Sequence, residues 1–442
     1  MIARNCNSWN DWESASTFSK KNVGAAKMFP DAWRKTTLGA IGQIRSGSTP
    51  DRSKQKAYFD GGRWPWVKTM DLTNSVVRRT DERITDQALA ETSCRLFPES
   101  SVLVAMYGGL KQIGRTGLLQ EASAVNQAIS AIVLNQKVAS PLFVLHWLNG
   151  NVDLWRSFAA SSRKDPNITR DDVVNFPIAL PSMNEQLRIV DVLETWDAAI
   201  NTAEALVATS RRQKQDLMQG LMSGHRTFGV DVADWAYLDF NEIFERVTRK
   251  NTGGDQNVLT ISGQHGLISQ REYFSRVVAS DDLSSYTHLS TGDFAYNKSS
   301  SNGYPMGAIK PLVAYDSGVV SSLYICFRIR PGVEADEDFF SHYFDAGMLN
   351  DEISGIAQEG ARNHGLLNVS VKEFFKLKLR VPPLEDQRRI AEVLNTAQEE
   401  VRNIEGQLER LKTEKRALMA DLLTGKRRIP IPANSEEAQE TL

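Results

Sequence analysis

The stretch LPSMNEQLRIVDVLET (Leu180–Thr195) is one of two similar segments, because VPPLEDQRRIAEVLNT (Val381–Thr396) follows later in the chain. A shift of 201 positions, from 180 to 381, aligns the segments without a gap, and the match returns at residues 214–226. The identical pairs include Pro181 with Pro382, Gln186 with Gln387, Ile189 with Ile390, Leu193 with Leu394, Lys214 with Lys415 and Gly224 with Gly425. A gapless match at both ends of so long a segment indicates an internal repeat.

Each copy predicts one long helix with a single apolar stripe. A proline precedes its first turn and a glycine follows its last turn, as is usual at helix ends. Apolar residues recur at alternating spacings of four and three, which is a heptad seam. The predicted seam residues are Ile189, Leu193, Trp196, Ile200, Leu217 and Leu221 in the first copy, and Ile390, Leu394, Val401, Ile404, Leu408, Leu418 and Leu422 in the second. Two such helices are expected to pair, and about 36 residues at roughly 1.5 Å each would form a rod of about 55 Å.

The segments around the helices also repeat, more weakly. WRKTTLGAI (Trp33–Ile41) is echoed by WAYLDFNEI (Trp235–Ile243), and β-rich runs such as SVLVAM, AISAIVL, VVSSLYICFRI and FKLKLRV alternate with loops rich in Gly, Ser and Asn. We predict an α/β (α+β) fold with two mixed α/β domains separated by an antiparallel coiled coil, because the second helix must return along the first. The predicted segments are an N-terminal extension (1–32), domain 1 (33–180), helix 1 (181–228), domain 2 (229–380), helix 2 (381–428) and a tail (429–442).

Composition indicates a globular protein of more than one domain. The chain has 442 residues, of which 41% are hydrophobic and 24% are charged. No apolar run approaches the roughly 20 residues that span a bilayer, and the N-terminus lacks an apolar signal core, so we expect a cytoplasmic protein. The net charge of -2 requires that any basic surface be local.

Metal and disulfide chemistry are not predicted. The three cysteines (Cys6, Cys94 and Cys326) are far apart, and the six histidines are scattered singly. Because no CxxC motif occurs, the sequence offers neither a disulfide framework nor a structural zinc site.

Catalytic motifs are also missing. GGLKQIGRTG (Gly108–Gly117) nearly matches a P-loop, but Arg115 stands at the lysine position and the following run predicts turn and strand rather than helix. No lysine follows an acidic residue by two positions, as nuclease sites commonly require, and no G-x-S-x-G elbow occurs. The sequence therefore predicts no catalytic residues, with a nucleotide hydrolase using Gly109–Thr116 as an alternative.

Several loops combine cationic, amide, hydroxyl and aromatic side chains. They are RSGSTPDRSKQKAYFDGGRWPWVKTMD (Arg45–Asp71), the glycine-rich loop above, YNKSSSNGYPMG (Tyr296–Gly307) and EGARNHGLLN (Glu359–Asn368). Arg and Lys are suited to guanine edges, Asn and Gln to adenine, and hydroxyl and backbone N–H groups to phosphates. Solvated surface loops are the simpler interpretation of the same pattern.

The doubled helix motif resembles the specificity subunits (HsdS) of type I restriction-modification systems. GSTPDRSKQKAYFDGGRWPW (Gly47–Trp66) is similar to the family's Gly-Thr-Pro and Ile-Pro-Trp region, and GDFAYNKSSSNGYPMGAI (Gly292–Ile309) to a common second-domain sequence. The resemblance extends from Trp33 to about Ile429 and is most specific in the repeated helices.

The resemblance implies a DNA-binding, non-catalytic subunit of a bacterial or archaeal complex. Each domain would be a target recognition domain for one half of a bipartite, asymmetric site in double-stranded DNA, and the coiled coil would set the spacer. The seam helices would also dock two methyltransferase subunits, which bind S-adenosylmethionine and methylate adenine. Restriction subunits, which use ATP and Mg²⁺, would cleave DNA, so this chain itself would hold no cofactor and no metal.

Candidate DNA contacts follow from the loops and the resemblance together. They are Arg45, Ser48, Thr49, Lys68, Lys111, Arg115 and Arg163 in domain 1, and Arg271, Tyr296, Lys298, Asn302, Tyr304, Arg362 and Asn363 in domain 2. A coiled-coil scaffold that does not read DNA sequence is the other alternative.

Overall fold

The chain divides into two compact units in a computed structural model. The structure describes residues 29–109, 111–159, 167–229, 231–263, 266–273, 282–301, 303–359 and 366–429. Unit 1 comprises Met1–Thr202 and Leu408–Leu442, and unit 2 comprises Ala203–Gln407. Each unit therefore contains the beginning of one predicted long helix and the end of the other.

Unit 1 alternates short strands with short helices. Its strands are β1 (Arg34–Thr37), β2 (Gly42–Ser46), β3 (Trp64–Val67), β4 (Ser75–Val77), β5 (Arg83–Ile84), β6 (Val102–Ala105), β7 (Thr116–Leu119), β8 (Ala124–Val125), β9 (Ile129–Leu134) and β10 (Pro177–Leu180). Its helices are α1 (Leu38–Ile41), α2 (Gln55–Tyr58), α3 (Asp86–Glu91), α4 (Pro141–Gly150), α5 (Val152–Phe158) and α6 (Arg170–Val174), with 3₁₀ turns at Arg52–Lys54 and Thr69–Asp71. The first long helix, α7 (Met183–Met222), begins here and continues into unit 2.

Unit 2 has the same alternating character. Its strands are β11 (Ala236–Asp239), β12 (Phe244–Arg246), β13 (Leu259–Ser262), β14 (Gly266–Ser269), β15 (Thr287–Ser290), β16 (Phe294–Asn297), β17 (Ala308–Pro311), β18 (Ser317–Val320), β19 (Ile325–Ile329), β20 (Gln358–Glu359), β21 (Leu367–Asn368) and β22 (Lys378–Val381). Its helices are α8 (Phe240–Ile243), α9 (Gln270–Tyr273), α10 (Glu337–Asp345), α11 (Asn350–Ile356) and α12 (Val371–Phe374), with a 3₁₀ turn at Val232–Asp234. The second long helix, α13 (Leu384–Leu423), begins in unit 2 and ends in unit 1.

The main sheets of the two units share one topology. The strand order is β2-β9-β6-β7-β4 in unit 1 and β12-β19-β16-β17 in unit 2. The first four strands of unit 1 pair antiparallel, as do the four of unit 2, whereas β4 joins β7 in parallel. The predicted mixed α/β fold is thereby confirmed, and the repeat extends into domains whose sequences have diverged.

In each unit, the first strand of the domain pairs with the strand that directly precedes a long helix. In unit 1, β1 pairs antiparallel with β10, with Arg34 opposite Leu180. In unit 2, β11 pairs antiparallel with β22, with Ala236 opposite Val381. The weak echoes in the sequence are therefore the two sides of one repeated pairing, which brings the beginning and the end of each domain together.

Each long helix ends shortly before the glycine that the sequence predicts to follow its last turn. Both α7 and α13 have 40 residues. Gly224 and Gly425, which follow them, have φ angles of 77° and 69°, a left-handed conformation that favours glycine. A Cβ at Gly425 would also lie 2.4 Å from Cγ of Pro30. Glycine is thus required at this end for both conformation and space.

Polar contacts show that the helices run antiparallel within each unit. In unit 1, Arg428 beyond α13 contacts Glu185 near the start of α7, and Lys415 contacts Asp197 further along. In unit 2, Arg211 pairs with Glu405, and Lys214 donates to Gln398 at 2.5 Å. Partner numbers fall along α13 as they rise along α7, as antiparallel pairing requires.

The predicted seam is mostly buried by this chain. The buried residues are Ile189, Leu193, Ile200, Leu221, Ile390, Leu394, Val401, Ile404, Leu408 and Leu422. Trp196, Leu217 and Leu418 are half-buried. At its ends the seam joins the domain cores, where Leu193 and Leu422 share one cluster with Phe143 of α4. The ten buried side chains are therefore not exposed for docking another subunit, which corrects that part of the prediction for these ten residues.

The repeated glutamine joins each long helix to its domain. Gln186 accepts from the backbone N–H of Ser140 at 2.9 Å and donates to the carbonyls of Val138 and Pro181, both at 3.1 Å. Gln387 repeats this in unit 2, accepting from the N–H of Asp336 at 3.1 Å. Conservation of this residue between the copies has a structural reason, because Ser140 and Asp336 are the N-caps of α4 and α10.

Gln186→Ala is expected to destabilise unit 1 by about 2–3 kcal/mol, since it leaves buried backbone groups without partners. Urea unfolding measured by tryptophan fluorescence would show the loss as a lower midpoint. Gln213→Ala is the matched control, because Gln213 is exposed on the same helix. Equal midpoints for the two variants would contradict this role for Gln186.

Candidate nucleic-acid interface

Several loops of unit 1 lie at one end of its main sheet, where the strands stop. Because neighbouring strands are antiparallel, the end of β2, the start of β9, the end of β6 and the start of β7 all lie at this end of the sheet. The N–H of Ser48 donates to the carbonyl of Val125 at 3.0 Å, and that of Met106 to Ala128 at 2.8 Å. We define the unit 1 loop cluster as residues 46–49, 68–71, 106–109, 111–115 and 126–128.

The candidates Arg45, Ser48 and Thr49 lie at or next to this cluster. Arg45 is exposed on β2, one residue before the strand ends. Ser48 and Thr49 are half-buried, and the hydroxyl of Ser48 lies 2.6 Å from that of Ser93. Thr49 donates to the side-chain carbonyl of Gln127, an exposed residue of the cluster. These contacts orient the loop that follows β2.

Lys68 also lies in the cluster, but it already has anionic partners. Its ammonium is 2.8 Å from Glu82 and 3.6 Å from Asp81. The hydrogen bond to Glu82 raises the pKa of Lys68, so the side chain stays charged. Glu82 also pairs with Arg52 at 2.6 Å. A DNA phosphate would therefore have to compete with Glu82 for this lysine.

The glycine-rich loop is a β-hairpin connection. It joins β6 to β7, and the carbonyl of Gly109 accepts from the N–H groups of Gln112 and Ile113, both at 3.0 Å. Gly114 has a φ of 76°, and a Cβ there would lie 2.3 Å from Cδ1 of Trp155. A P-loop leads into a helix, whereas this loop leads into a strand. The nucleotide-hydrolase alternative therefore lacks its structural basis.

Lys111 and Arg115 are placed on this hairpin loop. Lys111 is exposed and Arg115 is half-buried. Nearby, Tyr107 and Met70 are 41% and 63% exposed, so both side chains are accessible to a ligand. Sequence reasoning missed Tyr107, Met70 and Gln127 as interface candidates, because only the pairing of strands shows that their segments are neighbours.

Unit 2 has a hairpin loop at the equivalent place. Residues 298–307 join β16 to β17 just as residues 106–115 join β6 to β7, with ten residues in each loop. The N–H of Leu367 donates to the carbonyl of Lys298 at 3.0 Å, and the hydroxyl of Tyr304 donates to the carbonyl of Gly263 at 3.0 Å. We define the unit 2 loop cluster as residue 263, the described residues of 298–307, and residues 366–368.

Three candidates of unit 2 differ in how free they are to contact a ligand. Lys298 and Tyr304 are half-buried, and Lys310 donates to the hydroxyl of Tyr304 at 3.0 Å, so this ring also has a structural role. Arg271 is exposed on α9, which follows β14 directly. The candidates Arg163, Asn302, Arg362 and Asn363 lie outside the described residues.

Tyr296 corrects the prediction. It is fully buried, and its ring stacks on Phe374 with centroids 5.1 Å apart. Its hydroxyl donates to the carbonyl of Met306 at 2.8 Å, and burial raises its pKa. A side chain in this position cannot contact DNA. The sequence signal failed because Tyr296 points inward from β16, whereas the polar residues after it belong to the loop.

Tyr296→Phe is expected to cost about 1 kcal/mol of stability through the lost hydrogen bond and to leave any DNA recognition unchanged. Thermal unfolding and a DNA-binding assay on the same preparation would separate the two effects. A variant of wild-type stability with altered DNA preference would restore Tyr296 as a contact.

Cys94 and Cys326 are buried free thiols. In the described part of the chain, no helix combines the length and apolar character needed to cross a membrane.

The fold and these loops define a class of protein. It is an internally repeated α/β protein whose two units share a sheet topology but have different loop clusters. Each unit contains the beginning of one long helix and the end of the other. The family model for the type I restriction modification DNA specificity domain matches residues 30–207. The chain is therefore similar to the specificity subunits of type I restriction-modification systems, and the family model accounts for its first recognition domain and the start of its first long helix.

Relatives and solved structures show the same similarity. The EcoR124I/EcoR124II specificity subunit of Escherichia coli is 25% identical over 168 residues, which are 38% of this chain and 41% of that relative. The chain thus spans about two-fifths of the length of that curated relative. The type I S subunit from M. genitalium has a TM-score of 0.51 at 14% identity, covering 93% of this chain and 99% of the other. A second solved structure comes from work on the structural basis of complex assembly and conformational transition of the type I R-M system. It has a TM-score of 0.55 at 17% identity, covering 90% of this chain and 99% of the other. At these identities the structural matches establish the fold alone.

Proposed function

We propose that the chain is the DNA-binding specificity subunit of a type I restriction-modification complex. Residues 33–180 and 229–380 would act as two target recognition domains, each reading one half of a bipartite, asymmetric site. The helical segments 181–228 and 381–428 would set the unread spacer between the halves. The chain would determine which DNA site the complex recognises and would not itself catalyse a reaction.

One observation carries this proposal. Two hairpin loops of ten residues occupy equivalent positions in the two main sheets, yet their side chains differ. Lys111 and Arg115 lie on the first loop, and Lys298 and Tyr304 lie on the second. Equivalent positions suit two copies of one binding mode, and unlike side chains suit two different half-sites.

The partners follow from the family and from the charge of the chain. We propose that two methyltransferase subunits, which hold S-adenosylmethionine, dock on exposed faces of the long helices and methylate adenine. Restriction subunits using ATP and Mg²⁺ would complete a complex that cleaves DNA. A net charge of -2 suits a subunit that shares phosphate neutralisation with its partners.

The test is methylation of a randomised DNA library by the chain together with its methyltransferase subunits. The expected product is methylated adenine confined to one sequence with two specified halves and an unspecified spacer. Methylation without sequence preference, despite a stable complex, would favour the scaffold alternative. Equal methylation when the chain is omitted would overturn the proposal.

A further inference from the structure

A cluster of ionisable side chains lies in unit 1 away from the loop cluster. His146 on α4 faces Glu194 and Asp197 on α7, and Nε2 of His146 is 3.0 Å from Oε1 of Glu194. The possible ligand atoms of these three residues all lie within 4.8 Å of one another. The His146 side chain is 4% exposed, whereas those of Glu194 and Asp197 are 44% and 36% exposed. The cluster thus combines a fixed, buried imidazole with two carboxylates that solvent can reach.

A cation already occupies one side of this cluster. The ammonium of Lys415, on the final part of α13, lies 2.5 Å from Oδ1 of Asp197. The hydrogen bond from His146 lowers the pKa of Glu194, with smaller contributions from Lys415 and Arg78. The cluster thus contains two acidic side chains and one lysine, which contacts only Asp197 of the two.

The equivalent junction of unit 2 has amide side chains at the positions of these two carboxylates. The 201-residue shift places Asn395 at the position of Glu194 and Gln398 at that of Asp197. His342 lies 2.8 Å from Oδ1 of Asn395, and Lys214 donates to Oε1 of Gln398 at 2.5 Å. The same hydrogen bonds thus form with neutral amides, and Asn395 also donates to Asp338 at 2.7 Å. The contacts of the histidine and of the lysine therefore do not require carboxylates at the positions of Glu194 and Asp197.

We propose that His146, Glu194 and Asp197 form a site for a divalent transition-metal ion such as Zn²⁺, which displaces the Lys415 ammonium from Asp197. One imidazole nitrogen with two carboxylate oxygens is a ligand set that Zn²⁺ accepts, with water completing the coordination. The bound ion would tie α4 to α7 and stabilise unit 1. Sequence reasoning could not find this site, because His146 and Glu194 are 48 positions apart.

The test uses the untagged full chain, stripped with a chelator and titrated with Zn²⁺ in a calorimeter. The expected result is one ion per chain and a higher unfolding temperature for unit 1. Glu194→Asn with Asp197→Gln should abolish both effects, and this variant should fold because it recreates the amide set of unit 2. Lys415→Met should bind Zn²⁺ about tenfold more tightly, because it removes the competing cation.

Gln398→Asn is the matched control in unit 2 and should bind like the wild-type chain. The proposal is overturned if the wild-type chain binds no Zn²⁺ at about 1 mM, well above the affinity range of protein zinc sites. It is also overturned if the ion still binds to the Glu194→Asn, Asp197→Gln variant, since the ligands must then lie elsewhere.

Discussion

Replacing Lys111 and Arg115 by alanine together is expected to destroy recognition of one half-site and to spare the other. Both residues lie on the hairpin loop of unit 1, and that loop retains its glycines in the variant. Loss of two base-edge contacts would cost about 2–4 kcal/mol, or about 30- to 1000-fold in affinity. Methylation rates on DNA with single-base changes would show that the variant no longer distinguishes bases in one half-site.

Lys298→Ala provides the reciprocal control, because Lys298 begins the equivalent loop of unit 2. It should reduce discrimination in the other half-site only. If either variant weakened both half-sites equally and mainly changed the salt dependence, the residues would be phosphate contacts rather than base contacts.

Inserting one helical turn into both long helices should lengthen the spacer without changing either half-site. Four residues after Ala203 and four after Ile404 add about 6 Å to each helix, which corresponds to one or two base pairs of DNA. Placing one insertion in each helix lengthens both helices equally, so the antiparallel pairing on either side of the insertions keeps its register. Mapping the methylated sites would show the new spacing directly.

A single insertion after Ala203 is the control for this experiment. It leaves the second helix one turn short and should shift the buried seam residues out of register, so we expect loss of stability rather than a new spacer. Unchanged spacing in a stable double-insertion protein would contradict the proposed role of the helices as a ruler.

The features that could be predicted from the sequence are mainly those with a periodic pattern, namely the long helices and their apolar seam. The seam from Ile189 to Leu221 and the stops at Gly224 and Gly425 depend on local patterns, and the structure confirms them. The run VVSSLYICFRI instead forms β18 and β19, which belong to different sheets because a turn at residues 321–324 separates them. Continuous apolar character does not reveal such a break.

The loop clusters and the histidine site depend on contacts between distant segments. The segments that contain Tyr107 and Gln127 become neighbours only through the pairing of β6 with β9, and nothing in their local sequence marks these two residues. Tyr296 was assigned to the surface because its neighbours are polar, whereas its own strand position points it into the core. The positions of these residues depend on which strands and helices pair in three dimensions, and that pairing cannot be predicted from the local pattern of a single sequence.

The most direct test of the central claim is a map of methylated adenines in a host genome that carries the methyltransferase genes, with and without this chain. We predict one bipartite motif whose methylation disappears completely when the chain is deleted and returns when it is supplied again. Its two halves should be lost separately by the substitutions on the two hairpin loops. A methylation pattern that is identical in the presence and absence of the chain would contradict the account.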